Sequence, residues 1–291
     1  MIAVDMDIAG ADYHGSMPAE TPDEDADKTA RRLLSHIGHG GVRCVRARDG
    51  REHHLFRVQL PDGERLLKFP RVDALADPYD ATRKPADRLR AEAHAIKLVK
   101  GPNVPNPYVI FDTDPVCSLM GVIPGTTAEI AWEKNQLDEE SLINVCIQMG
   151  KTLAYVHTRK RPEGGDLLPD LPDSDLSTAR LLHLDFHIGN CVGRPQLGGH
   201  WQVLGVVDWT CARWGPVEAD LVEMQVSVWV FIPRARDAFV AGYRQASGRA
   251  LSIKDIERRA TFEIHRRLVF DPPESEKLKM MWLDWVDDHS E

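Results

Sequence analysis

The sequence predicts an α+β protein of two lobes, and three observations carry that prediction. Extended segments joined by Asp-Gly turns fill the stretch from Val42 to Phe69, a single helix and two further strands follow, and the chain from Pro216 onward is patterned for helix. Strands with one helix, then a connector, then a mainly helical half is the segregated order of an α+β architecture. The smaller lobe is expected over residues 26–122 and the larger over 123–291, preceded by a mobile acidic tail over 1–25.

The elements follow in order. A short helix is predicted from Asp27 to Ile37, ended by Gly38, Gly40 and Gly41. Val42–Arg48 leads into Asp49-Gly50, His54–Leu60 into Pro61-Asp62-Gly63, and Arg65–Phe69 completes a meander, since Asp-Gly between extended runs favours tight hairpins. Pro85 suits a first helical turn, and that helix runs to Lys100, where Gly101-Pro102 stops it. Strands are expected at Tyr108–Asp112 and Val116–Val122. Asp138 caps a long helix reaching His157, whose Leu142, Val145, Cys146, Met149, Leu153 and Val156 form one apolar face. A loop rich in Pro, Gly and Asp follows, then short extended pieces at Leu181–His183, Asn190–Val192 and Trp201–Asp208. Pro233, Gly248 and Pro272-Pro273 are the expected breaks between the later helices.

Composition narrows the function. The chain has 291 residues, ample for two lobes, with 43% apolar and 28% charged residues, ordinary for a globular protein. A net charge of -9 argues against a nucleic-acid binder, which needs basic surface to replace phosphate counterions. No apolar run approaches a membrane span, and no basic residue precedes Lys28, so neither a membrane segment nor a signal peptide is expected. The five cysteines are odd in number and widely spaced, which points to reduced thiols in a cytoplasmic protein. Oligomeric state is not legible.

The chemistry concentrates in His183-Leu184-Asp185-Phe186-His187-Ile188-Gly189-Asn190 and in the apolar strand Val203–Val207 that runs into Asp208. A carboxylate at the end of such a strand needs a partner. Asp208 with the amide oxygen of Asn190 suits Mg²⁺, which prefers hard oxygen donors. Asp185 can accept a proton from an attacking hydroxyl. A base and two metal ligands in that order are what in-line phosphoryl transfer requires. A second pair comes from the smaller lobe. Glu92 falls on the apolar side of its helix and Lys68 sits inside the strand Leu66–Phe69, both awkward positions for a lone charge. An ion pair between them satisfies both and aims the lysine at nucleotide phosphates.

From Gly41 to Met224 these residues resemble the aminoglycoside phosphotransferase and choline-kinase-like family, which has the protein-kinase-like fold. The landmarks are Leu66–Phe69, Arg90-Ala91-Glu92-Ala93, Val104-Pro105-Asn106-Pro107, Leu119-Met120 with Pro124-Gly125, the His183–Asn190 loop, and Val207-Asp208-Trp209. The resemblance implies a two-lobed kinase: an antiparallel-sheet lobe with one key helix, a mainly helical lobe, and ATP (GTP as the alternative) with Mg²⁺ between them. It implies Asp185 as catalytic base, Asn190 and Asp208 as Mg²⁺ ligands, and Lys68 on the α- and β-phosphates with Glu92 orienting it. It further implies Gly50 in the phosphate loop and adenine held against backbone at Gly121 and Ile123 behind Met120. Asp220 would brace the catalytic loop. The acceptor would be a hydroxyl of a small molecule, aminoglycoside-like or another antibiotic. Its cationic groups could meet Asp170, Asp173, Asp175, Asp287 or Asp288. Three departures stand out: Leu184 replaces the family's usual glycine, the phosphate loop has only Gly50, and the segment between the long helix and the His183–Asn190 loop, where acceptor-binding elements often sit, is short.

Three other readings compete. His183, Asp185 and His187 alternate and, in a strand, would share a face, as a zinc or manganese hydrolase site could. A non-catalytic nucleotide-binding protein of the same fold is a second. A protein kinase is a third, against which stands the short interval between Asp208 and the helix expected at Pro216. The tryptophans at 201, 209, 214, 229, 282 and 285 are expected in the core.

Overall fold

The computed structural model describes residues 24–47, 52–71, 80, 82–101, 104–172, 174–196, 200–270 and 276–289. The tail expected over 1–25 lies almost wholly outside them, as do Gly50, Asp173 and Pro272-Pro273.

The smaller lobe is one antiparallel sheet clasped by two helices. Its strands are β1 (Cys44–Arg46), β2 (His53–Leu60), β3 (Gly63–Pro70), β4 (Tyr108–Phe111) and β5 (Cys117–Gly121), in the order β1-β2-β3-β5-β4. The β2–β3 register runs unbroken from His53↔Pro70 to Leu60↔Gly63. Gly63 takes φ 130°, which only glycine adopts without strain, so the turn closes in the position the sequence assigns it. Alternation sends His54, Phe56, Val58 and Leu60 to one face of β2. There they pack with Leu67, Phe69, Cys117 and Leu119 under helix α1 (Glu24–His36), which contributes Ala26, Ala30, Leu33 and Leu34. Burying each Leu or Phe side chain contributes roughly 1.5–3 kcal/mol before chain entropy is counted. The opposite face of the sheet receives helix α2 (Pro85–Val99), with Pro85 in its first turn and Lys100 turning out of the helix at φ 50°.

The larger lobe is built on one helix pair. Helix α4 (Glu139–Val156) starts at Asp138, whose carboxylate accepts the Ser141 N–H at 2.8 Å. It packs on α6 (Pro233–Ser247) at two glycines: a side chain on Gly150 would strike the Phe239 carbonyl, and one on Gly242 the Ile147 carbonyl. Among the elements not legible in the sequence are β6 (Thr126–Thr127) and the short helix α3 (Ala128–Glu133), capped by Thr127. After them come β7 (Arg180–Leu182), β8 (Cys191–Pro195), β9 (Trp201–Val206) and β10 (Arg213–Gly215). β6 pairs with β8, β8 with β9, and β7 with β10. A 3₁₀ turn (Val217–Leu221), α5 (Val222–Met224) and a π-helical turn (Gln225–Trp229) lead to α6. Pro233 opens α6, and Gly248 closes it in the left-handed conformation. Helices α7 (Ile253–Phe270) and α8 (Glu276–His289) finish the chain.

The main core joins α2, α4 and α6 with β7, β8 and β9 and includes Trp201, Trp209, Trp214 and Trp229. Trp282 is buried in a smaller cluster between α7 and α8. Among the described residues no helix is long and apolar enough to cross a membrane.

Candidate active site

The β8–β9 hairpin creates the site. Its register sets Cys191 opposite Val206, so the residues just outside the ladder, Asn190 and Val207-Asp208, emerge side by side. The Val207 N–H donates to the Asn190 carbonyl at 3.0 Å and extends that pairing by one step. Asp208 then leaves the strand with φ 62°, a left-handed turn that aims its carboxylate at the smaller lobe.

Lys68 meets it there. Its Nζ lies 3.0 Å from Asp208 Oδ1 and 3.0 Å from Glu92 Oε2. Burial alone would lower the lysine's pKa, but the Asp208 and Glu92 charges outweigh it and hold the ammonium above its ordinary range. For Asp208 burial would raise the pKa. The Lys68 charge, aided by hydrogen bonds from Lys68 and Thr210, reverses this and keeps the carboxyl well below the usual carboxylate range. Glu92 is buried and fully occupied: Oε2 also accepts the Tyr108 hydroxyl at 2.8 Å, and Oε1 the Trp209 N–H at 3.1 Å. It thus ties α2 to β4 and to the residue after Asp208. That Tyr108 and the Trp209 backbone bond Glu92 was not legible in the sequence, because a tyrosine in a strand and a backbone N–H carry no pattern.

Asp185 and Asn190 form the other half. Asn190 Nδ2 donates to the Asp185 carbonyl at 2.9 Å and to Asp185 Oδ2 at 2.8 Å. A carbonyl only accepts, so the nitrogen of the amide faces Asp185 and the amide oxygen is turned away from it. That oxygen and the Asp208 carboxylate are a hard-donor pair of the kind Mg²⁺ takes together with phosphate oxygens and water. Among the described residues no group of three or more His, Cys, Asp or Glu could hold a metal.

Asp220 organises the loop from beneath. Its buried carboxylate accepts the His183 N–H at 2.9 Å, the Leu184 N–H in a short bond, and His157 Nε2 at 3.0 Å, while His157 Nδ1 meets the Tyr243 hydroxyl at 2.9 Å. His183 is a second brace. The Asp185 N–H donates to its Nδ1 at 3.2 Å, so the ring proton sits on Nε2, which donates to the Val207 carbonyl at 2.9 Å. The ring spans the loop and the Asp208 strand. His187 Nδ1 accepts the Gly189 N–H at 3.1 Å and caps the 3₁₀ turn Ile188–Asn190. With both nitrogens of His183 committed to backbone, the alternating His-Asp-His stretch does not present the shared face that a hydrolase site would need.

The remaining expectations fall into place less directly. Met120 is buried on β5, opposite Leu66 and Tyr108. The Gly121 N–H is taken by the Pro107 carbonyl at 2.7 Å, so backbone contact with a ligand at this residue would fall to its carbonyl. A side chain at Gly121 would strike the Asn106 carbonyl, which explains the glycine. Ile123 follows, half-buried. Of the acidic groups considered for an acceptor, Asp170 is paired with Arg161 at 2.6 Å, and Asp175 is spent on its own turn with Ser177 and Thr178.

Comparison with known proteins bears out the resemblance read from the sequence. The model of the phosphotransferase enzyme family matches residues 165–260, the stretch that holds Asp185, Asn190, Asp208 and Asp220. No curated protein matches the sequence. In structure the chain is similar to a mutant aminoglycoside 2'-phosphotransferase solved with GDP, at 13% identity and TM-score 0.61, covering 91% of this chain and 94% of that one. It is similar to a macrolide 2'-phosphotransferase at 15% identity and TM-score 0.53, covering 93% and 99%. It is also similar to a thermostable mutant aminoglycoside phosphotransferase solved with ADP and hygromycin B, at 12% identity and TM-score 0.56, covering 90% and 99%. These likenesses show the protein-kinase-like fold.

Proposed function

From a chain with this fold and the phosphotransferase family's motif, we propose a small-molecule kinase that moves the γ-phosphate of ATP to a hydroxyl of its acceptor. The observation that carries the reading is the convergence on one cleft of Lys68, Asp208, Asn190 and Asp185, drawn from β3, the end of β9 and the loop before β8. In this reading the nucleotide lies between residues 26–122 and 123–291, its adenine against Gly121 and Ile123 behind Met120. Lys68, oriented by Glu92, holds the α- and β-phosphates. Gly50 belongs to the phosphate loop. Asp208 and the Asn190 amide oxygen hold Mg²⁺, which when bound neutralises the charge of the phosphates.

Asp185 is the base. Its Oδ2 is fixed by Asn190, and its backbone by His183, so the carboxylate is set before the acceptor arrives. It accepts the hydroxyl proton as the acceptor oxygen forms its bond to the γ-phosphorus and the bond to the β,γ-bridging oxygen breaks. ADP carries away the electron pair of that bond. Most of the acceleration is positioning and charge neutralisation, because the transferred phosphoryl group needs little covalent help. The short run from Asp208 to the 3₁₀ turn at Val217 leaves no room for a long activation segment, which favours a small-molecule acceptor over a protein one.

The test is ADP release with Mg·ATP across hydroxylated acceptors, wild type beside Asp185→Ala. Acceptor-dependent release should fall by about 10²–10⁴ in the variant while nucleotide affinity stays within about twofold. Nucleotide binding with no turnover on any acceptor would favour the non-catalytic reading of the same fold.

A further inference from the structure

Helix α2 carries two opposite charges on its buried side, one turn apart. Glu92 is one, and Arg88, 0% exposed, is the other. Arg88 Nη2 contacts Glu52 Oε1, and Glu52 stands directly before β2. The Glu52 carbonyl accepts the Arg71 N–H at 2.9 Å, one step beyond the His53↔Pro70 pair, so its backbone is fixed beside β3. Two ion pairs therefore close a frame. Lys68 of β3 meets Glu92 at 3.0 Å, and one turn earlier Arg88 returns α2 to the sheet at Glu52. His53 Nδ1 lies 3.8 Å from Glu52 Oε2, but burial and then the Lys68 charge push its pKa down to about 3, so the charged partner of Glu52 is Arg88. Arg90 and His94 of α2 are engaged elsewhere, Arg90 with Asp87 and Asp112 and His94 with Asp166. The far end of α2 is fastened to the larger lobe, where Arg159 donates to the Leu98 and Val99 carbonyls at 2.9 and 2.8 Å.

The order of the charges matters. A helical turn rises about 5.4 Å, and residues four apart nearly superpose along the axis. A slip of α2 by one turn in one direction would carry Arg88 to Lys68, cation against cation. A slip in the other would carry Glu92 to Glu52, carboxylate against carboxylate. Only the observed register satisfies both pairs. The Tyr108 and Trp209 bonds fix the Glu92 carboxylate but bring no charge that opposes a slip. A buried ion pair adds little stability over neutral side chains, whereas fixing a register against like-charge alternatives is a role it fills well.

We propose that Arg88 is a positioning residue for the nucleotide: through Glu52 it fixes the register of α2 on the sheet and so holds Glu92 on Lys68, the group assigned to the α- and β-phosphates. The inference rests on the kinase reading, and two readouts separate them. The first needs no nucleotide. Lys68 in the full chain is acylated with an amine-reactive ester and its rate read by mass spectrometry. Only the neutral amine reacts, so the paired ammonium is slow, and Arg88→Met should raise the rate at least about fivefold. The second is calorimetry with Mg²⁺ and a non-hydrolysable ATP analogue, beside adenosine. Arg88→Met should weaken the analogue about tenfold and leave adenosine, which has no phosphate, within about twofold. Arg88→Met combined with Glu52→Gln removes the stranded carboxylate and should return Tm to near that of the wild type, while labelling stays fast and the analogue stays weak. A double variant in which Tm, labelling and affinity all recover shows a structural pair only and overturns the proposal. So does an Arg88→Met protein whose Lys68 labels at the wild-type rate, or whose analogue affinity matches a wild type that binds it. Faster labelling in a protein that binds neither ligand upholds the hold of Arg88 on the Lys68 pair while the kinase reading fails.

Discussion

Lys68 and Asp208 stand 140 residues apart in the chain and 3.0 Å apart in space, one from the sheet lobe and one from the helical lobe. The pair joins the lobes through the groups that would meet phosphate and metal. Asp208→Asn should weaken Mg·nucleotide binding by on the order of 10-fold to 100-fold, read by titration with Mg·ATP analogue. The pH behaviour follows from sign. The folded pKa of Asp208 lies below its unfolded value of about 4, so the pair's stabilisation is fully present above that value and is lost as pH falls through the folded pKa. The difference in Tm between wild type and Asp208→Asn should therefore hold constant from about pH 7 to 5 and shrink only in stronger acid. A difference that already shrinks between pH 7 and 5 would contradict the assignment.

Removing the lysine tests a different balance. A buried carboxylate stripped of its partner commonly costs about 3–5 kcal/mol. Glu92 keeps two other donors, the Tyr108 hydroxyl and the Trp209 N–H. Lys68→Met should therefore remain folded, with a urea-derived loss nearer about 2 kcal/mol, while transfer falls by roughly 10²–10³. Far greater destabilisation, with a collapse of the fold, would mean that Lys68 is chiefly a structural counter-ion.

Asp220 presents the opposite case. Its carboxylate satisfies two backbone N–H groups and His157 in a site with no water-facing surface, so Asp220→Ala strands donors that have nowhere to turn. The expected loss is about 3–5 kcal/mol by chemical denaturation. The transfer rate should fall more than nucleotide affinity, because the loop carrying Asp185 is what loosens. Equal loss of both would place the damage in the fold as a whole.

Much of this was legible beforehand because the signals were local. Asp-Gly turns, the Asp138 cap and the apolar face of α4 announce themselves within a few residues, and the Lys68–Glu92 pair follows from two charges placed where neither can stand alone. What escaped depends on contacts distant in sequence. Tyr108 and the Trp209 backbone reach Glu92 only after α2 docks, and His183 reads as a metal ligand until both its nitrogens are seen on backbone. β10 and α3 are too short for a periodic pattern, and the pairings around them, β10 with β7 and β6 with β8, join segments distant in sequence. The ion pairs of Arg267 with Glu223 and Glu263 are of the same kind: α7 shows an ordinary run of mixed charge, and only packing against α5 reveals the partner Glu223.

Leu184 shows where two local rules conflict and magnitude decides. It replaces the family's usual glycine and takes φ 62°, a conformation that costs a non-glycine residue about 1–2 kcal/mol. Its side chain is buried with Leu171, Leu182, Cys211 and Ala219. Cutting a buried leucine back to alanine typically costs about 2–5 kcal/mol, and glycine gives up one carbon more. Leu184→Gly should relieve the backbone yet lower stability by a net of about 1–3 kcal/mol, with the Asp220 bond to the residue 184 N–H preserved and nucleotide affinity unchanged. Leu184→Ala keeps the strain and loses most of the packing, so it should be the less stable of the two variants. Chemical denaturation of both decides the matter: if Leu184→Gly is more stable than wild type, the left-handed turn, and not the pocket, governs this position.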